Sequence, residues 1–256
     1  MTDDLSNDAA TAEDVEVKKV VQKNYDLRSR IAALGVVPAL FIASVIVAVP
    51  AVIFVGTNVD IVAALIITAV AELLVIGWAL WYTGVWKDWP EKLYLKNFKW
   101  KYLLIGAAAG QVFYWGLQGI AAIAAAAGSP VASSDTAMSL GSLKGLEGYI
   151  VLLLVAPVIV PFIEELLFRG VIVSSLQRSK WNATWISVVV SAVSFGVMHI
   201  QGFSSVTDYT IFLWITLMGG IFAYLYLKTK SLWTVFAAHC IYNMTSSVLM
   251  LTGIAN

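Results

Sequence analysis

The sequence predicts an all-α fold, a polytopic transmembrane helix bundle of seven spans. Three observations predict it. Sixty per cent of the 256 residues are hydrophobic, only 12% are charged and the mean hydropathy is +0.83. Soluble domains carry about 25% charged residues, so this chain has too little polar surface to face water on all sides. Seven apolar stretches also approach the about 20 residues that a spanning helix needs: 31–55, 62–85, 102–126, 149–177, 184–203, 209–227 and 231–252. Finally, Lys and Arg fall on alternate connections, as the positive-inside rule requires.

The count fixes the expected orientation. Five Lys or Arg lie in the first thirty residues, five in the 87–101 linker, two in the 178–180 turn and two in the 228–230 turn. The opposite connections hold only Lys144, with Arg169 set aside because it falls within the fourth stretch. The N-terminus is therefore expected in the cytoplasm and the C-terminus outside. Residues 1–30, with Asp3, Asp4, Asp8, Glu13, Asp14 and Glu16 ahead of their cations, read as a polar, partly disordered cytoplasmic tail. An interfacial helix near Val15–Tyr25 is an option within it. The tail is too long and too acidic for the n-region of a cleaved signal peptide.

Residues 31–126 then supply three N-terminal transmembrane helices, and residues 145–252 a four-helix core. Trp81, Trp86, Trp100, Trp181 and Trp185 sit near stretch ends, where interfacial aromatics belong. Gly106 and Gly110, with alanines between them, give the third stretch a small-residue face for close helix packing. The short turn at Lys228–Lys230 makes the last two stretches antiparallel neighbours. The lone Cys240 forms no intrachain disulfide and leaves the redox compartment unread.

Against this background some residues are out of place. An ionisable group at the bilayer centre costs at least about 2.5–3.5 kcal/mol on insertion scales, so each one raises a functional question. The fourth stretch, PVIVPFIEELLFRGVIV, contains Glu164, Glu165 and Arg169. Glu165 and Arg169, four apart, share a helix face and can pair. Glu164 is turned about 100° away and points elsewhere. Both histidines of the chain also lie in apolar stretches: His199 one turn after Phe195, and His239 one turn before Asn243.

A single intramembrane Glu or His is more often an interhelical hydrogen-bonding group than a catalyst. That reading is kept for Glu72, Gln111 and Gln118. Two carboxylates, two imidazoles and an amide on three stretches favour an acid/base site instead.

In this order, EELLFR (Glu164–Arg169), FGVMH (Phe195–His199) and HCIYN (His239–Asn243) resemble the CPBP family. These are the CAAX-protease and bacteriocin-processing membrane enzymes, also called Abi proteins, and include the type II CAAX prenyl endopeptidases. The resemblance covers about residues 145–252; the first three stretches match only in hydrophobicity. It implies an intramembrane protease of the glutamate type. Glu164 and His199 would activate a water for attack on a peptide carbonyl, and His239 and Asn243 would donate to the oxyanion. Glu165, Arg169 and Phe195 would support the site.

Donors aimed at a developing oxyanion in a water-poor site are worth several kcal/mol, in keeping with these roles. Zinc is the alternative that two histidines and two glutamates raise, but no HExxH pair is present and the spacing specifies no metal geometry. A metal-independent mechanism without cofactor is the expectation.

The implied partners are the lipid bilayer, a membrane-associated peptide or protein substrate and a membrane-protein complex, with no nucleic acid; the compact chain suggests a bacterial plasma membrane. Two other classes stay open: a non-catalytic, protease-like scaffold that regulates another membrane protein, and a proton-coupled transporter with Glu72 in a relay. The lack of inverted repeats or paired broken helices counts against the transporter.

One geometric expectation is sharp. Glu164 lies about 15 residues, or ~22 Å, from the start of its helix, and His199 is equally far from the opposite start of its own. Straight perpendicular helices would hold them apart. Either the fifth helix starts deeper or one helix is tilted or broken, with a cavity open to the cytoplasm.

Overall fold

The computed structural model describes residues 12–55, 61–128, 143, 145–199 and 205–253. It is all-helical. Helix α1 spans Ala12–Val55, α2 Ile61–Tyr82, the short α3 Trp89–Lys92 and α4 Trp100–Ala126. A long composite helix, α5, runs Gly145–Arg178, followed by α6 (Thr184–Met198), α7 (Val206–Thr229) and α8 (Leu232–Thr252). Six of these are long and apolar enough to cross a membrane: the Val15–Val49 part of α1, then α2, α4, α5, α7 and α8. This is an integral membrane protein.

The stretch 184–203 departs from the expected seven equal spans. Its helix is 15 residues long, about 22 Å at 1.5 Å per residue, against a hydrocarbon core of about 30 Å. Residues 200–204 lie outside the described residues, as do 129–142 and 144. Helix α1 begins at Ala12, so residues 12–30 are helical and continuous with the first span.

The packing is that of a protein whose solvent is lipid. Phe41, Leu104, Val112 and Ile123 are each at least 70% exposed. At the other extreme, every residue of α5 from Ile163 to Leu176 is buried. A helix buried on all sides is the centre of its bundle, and α1, α2, α6, α7 and α8 all pack on α5.

Helix α8 makes its most extensive contact with α4, through the glycine face. A Cβ on Gly106 would collide with the Thr234 carbonyl, and one on Gly110 with the Ala238 carbonyl. Only glycine permits that backbone approach. Gln111 of α4 adds a hydrogen bond, donating to Thr245 Oγ1 at 2.7 Å, the interhelical role expected of it.

The four connections that carry the surplus of Lys and Arg gather at one end. Buried Asp26 of α1 accepts from the Lys180 backbone N–H and pairs with Arg30. The amide of Asn97, in the linker after α3, donates to the carbonyls of Thr229 (3.0 Å) and Lys230 (2.8 Å) in the α7–α8 turn. Ser231 and Trp233 donate back to the linker carbonyls of Asn97 and Leu95. The linker is thereby stitched to the start of α8.

Candidate active site

The site is built around a change in the hydrogen-bond ladder of α5. Val151–Ile159 and Leu166–Val173 are π-helical, and the α-helical turn Val160–Glu165 lies between them. Such π segments are rare and concentrate at functional sites. Proline explains part of this one. The Val160 N–H bonds to the Val155 carbonyl, and residue 161, the next donor due, is a proline without an N–H. The carbonyl of Ala156 is thus left without its ladder partner. Asn243 of α8 fills the gap, its amide Nδ2 donating to Ala156 O at 3.0 Å.

Glu164 and Glu165 end the short α-helical turn. Glu165 is fully buried and its Oε1 accepts from Arg169 at 2.9 Å, the pairing expected from their spacing. Arg169, also fully buried, donates in addition to the Gly219 carbonyl at 3.1 Å. Its guanidinium lies 4.7 Å from the ring centre of Phe195 and 5.4 Å from that of Phe222, within cation–π range. Gly219 permits this arrangement, since a Cβ there would press on Phe195.

The same Glu165 oxygen is 3.0 Å from His239 Nδ1. Because that oxygen already serves as an acceptor for Arg169, the imidazole is the donor and its Nε2 is turned the other way, towards Glu164. His239 Nε2 stands 3.6 Å from Glu164 Oε2, and His199 Nε2 stands 3.8 Å from Glu164 Oε1. His199 Nδ1 is 2.7 Å from the Phe195 carbonyl, which can only accept, so this ring too presents Nε2 to Glu164. Phe195, fully buried, is therefore a brace for three groups: it packs on Arg169, lies 4.4 Å from the His199 ring centre and 5.7 Å from that of His239.

Glu164 and His199 are thus brought together, and the reason lies in α5. Bonds of the i→i+5 type put more residues into each turn, so the chain climbs less per residue before Glu164 than an α-helix would. Helix α6 starts at Thr184, no deeper than the sequence suggests, and ends just before His199. The helix whose regularity is broken is α5.

The gaps of 3.6 and 3.8 Å are too long for direct hydrogen bonds. They suit a carboxylate and two imidazoles that converge on a shared proton or on a small molecule between them. Glu164 Oε2 is sealed from solvent with no hydrogen-bond partner among the described residues. Such an atom is costly unless it is used.

This geometry lies within a recognisable stretch of chain. Residues 146–245 match the family described as Type II CAAX prenyl endopeptidase Rce1-like. Over this segment the chain is similar to the Rce1-like family. A curated protein of Bacillus subtilis (strain 168), described as "Putative membrane peptidase YdiL", is 30% identical over 105 residues. That match spans 41% of this chain and 39% of the relative, less than half of either. No solved structure matches the chain. All seven residues singled out by the motifs fall inside the Rce1-like segment.

Glu72, assigned to packing on sequence grounds, lies outside the segment. It is only 5% exposed on α2, which packs on the α-helical turn of α5, and it is an electrostatic neighbour of Glu164. A third carboxylate therefore belongs to the surroundings of Glu164. Its signal in the sequence was its place in an apolar run, which Gln111 shares. Among the described residues no group of three or more His, Cys, Asp and Glu is placed to hold a metal ion.

Proposed function

We propose that this protein is an intramembrane endopeptidase of the glutamate type, hydrolysing a peptide bond in a membrane-associated peptide or protein. The observation that carries the reading is the convergence of both imidazoles on Glu164, at 3.8 and 3.6 Å. A water held between Glu164 Oε1 and His199 Nε2 gives a proton to this pair as its oxygen attacks the scissile carbonyl carbon. The carbonyl oxygen becomes an oxyanion. When the tetrahedral intermediate collapses, the C–N bond breaks and the stored proton goes to the departing amine.

His239 and Asn243 are the oxyanion donors of this scheme. Asn243 carries two amide hydrogens, and one is committed to Ala156 O; the other remains for the substrate. His239 donates through Nε2 when that nitrogen carries a proton in addition to the one that Nδ1 gives to Glu165. Glu165, Arg169 and Phe195 hold these groups in place and touch no substrate.

In the same reading the charge asymmetry places the N-terminus, with residues 1–30 as its polar tail, in the cytoplasm of a bacterial cell. Helix α6 is the short seventh pass, the C-terminus lies outside, and the cavity opens to the cytoplasmic side.

The test uses the full chain reconstituted with a membrane-anchored peptide library. Glu164→Gln and His199→Ala should each abolish cleavage while a substrate accumulates uncut. Cleavage that persists in both variants would refute the proposal, and a cellular phenotype that survives both would favour a non-catalytic scaffold.

A further inference from the structure

A second polar cavity, of about 550 Å³, lies at the basic end of the bundle, between the linker after α3, the last turn of α5 and the α7–α8 turn. Its charge is unbalanced. Lys92, Arg178 and Lys230 line it against a single carboxylate, Glu91, and Glu91 is paired with Lys96 at 3.4 Å. None of the three cations has an ion-pair partner among the described residues. Arg178 is the telling one. Its guanidinium donates to the neutral Ser175 hydroxyl at 3.4 Å, while its Nε is sealed from solvent with no hydrogen-bond partner among the described residues. A guanidinium drawn out of water without an anion is unfavourable, and the cavity beside it is where an anion would reach it.

Two residues of the lining have an unusual backbone, and one of them, Lys230, is the left-handed C-cap of α7. Among the described residues only Tyr94 and Lys230 are non-glycine residues with positive φ, at 55° and 48°. Both line this cavity. Side chains adopt that conformation at a cost, so something must hold them there. Asn97 does so for Lys230 by bonding its carbonyl, and the Leu232 N–H reaches the Tyr94 carbonyl at 3.5 Å. Strain of this kind gathers where surrounding structure fixes a functional shape. The hydroxyls of Ser174 and Tyr226, 2.7 Å apart, also line it, with their hydrogens committed to each other and to the Arg169 carbonyl.

We infer that this cavity binds a phosphate group, with the Arg178 guanidinium as its fork and Lys92 and Lys230 as its charge. Arginine matches phosphate oxygens in a planar fork, and lysines supply point charges around it. The volume exceeds what a bare phosphate fills, so the ligand is a phosphate ester with a polar body. Two sources share this chemistry: the headgroup of an anionic phospholipid and a soluble phosphate ester. The site is separate from the Glu164 cluster, and the inference does not rest on proteolysis.

The full chain in phosphatidylcholine nanodiscs is titrated with inorganic phosphate and with pyrophosphate, following heat release and thermal unfolding. It is also compared with nanodiscs containing phosphatidylglycerol or phosphatidic acid. Saturable binding of pyrophosphate identifies a soluble ester; stabilisation by the anionic lipids alone identifies a headgroup. Either supports the inference, provided that Arg178→Gln weakens the effect by about tenfold, the value of one charge-assisted contact.

The double variant Lys92→Gln/Lys230→Gln, which changes two exposed side chains, should weaken it comparably and serves if Arg178→Gln fails to fold. Lys18→Gln/Lys19→Gln, on the exposed start of α1, should leave it unchanged. No response to either class of phosphate overturns the inference. So does a response that the cavity variants and the Lys18/Lys19 control diminish equally.

Discussion

His239 is held between two adjacent carboxylates, with Nδ1 3.0 Å from Glu165 Oε1 and Nε2 3.6 Å from Glu164 Oε2. Two consecutive glutamates thus serve opposite sides of one ring, and their tasks differ. Glu165 is fully buried, and its Oε1 accepts from both Arg169 and His239. Glu164 faces both imidazoles across gaps that leave it able to exchange a proton.

The first prediction separates those tasks. Glu165→Gln leaves Arg169 buried without a counter-charge, and breaking such a pair costs about 3–5 kcal/mol. Thermal unfolding in detergent or nanodiscs should show that loss, whereas Glu164→Gln should lie within about 1 kcal/mol of the parent in the same assay. Adding Arg169→Met to Glu165→Gln should recover much of the stability, because an apolar residue replaces the orphaned cation. Peptidase activity should stay low in the double variant, since His239 has lost the partner that orients it. Full recovery of activity would show that Glu165 is only a counter-ion.

A second prediction concerns catalysis directly. General acid–base groups contribute about 10²–10⁴ in rate. Glu164→Gln and His199→Ala should each lower kcat by at least about a hundredfold in a single-turnover assay. Their double variant should be little worse than either, because groups acting as one unit are not additive. Multiplicative losses would mean that the two act separately.

Glycines on α4 allow a test with opposite signs. Gly106→Ala should destabilise by about 1–3 kcal/mol, as its Cβ would drive α4 away from α8. Gly119→Ala, where nothing lies within 4 Å, should be neutral or stabilising by up to about 1 kcal/mol. Since His239 and Asn243 ride on α8, Gly106→Ala should also reduce activity. Unfolding midpoints for the pair read the outcome, and the same sign in both would refute the packing argument.

The sequence made the helices legible because lipid as solvent demands long apolar runs, and six of the seven stretches became helices long enough to span. It also placed Glu165 and Arg169 together, since a four-residue spacing on one helix is local information. The meeting of Glu164 with His199 was not legible. It depends on a switch to π-helical bonding between residues 151 and 159, where every residue is apolar and no periodicity can show the change of pitch. The family resemblance implies an oxyanion donor at Asn243. Its bond to Ala156 needs knowledge of which carbonyl Pro161 releases and which helix passes beside it. Glu72 resembled Gln111 in the sequence, and only tertiary packing distinguishes a neighbour of Glu164 from a link between α4 and α8.

The last prediction turns on that released carbonyl. Asn243→Ala removes the donor to Ala156 O and should cost about 1 kcal/mol, the low end of the penalty for an unsatisfied acceptor because this one is only part-buried. Pro161→Ala restores an N–H at the position due to serve the same carbonyl. In that background Asn243→Ala should cost less, giving a coupling of about 0.5–1 kcal/mol in a double-mutant cycle followed by thermal unfolding. Activity divides the two roles of the amide. If Asn243 only repairs the helix, Pro161→Ala should rescue the peptidase activity of Asn243→Ala along with its stability. If its second N–H also serves the oxyanion, stability returns and kcat stays down by about 10²–10³. The second outcome is the one expected, because the bond to Ala156 commits one hydrogen and fixes the direction of the other.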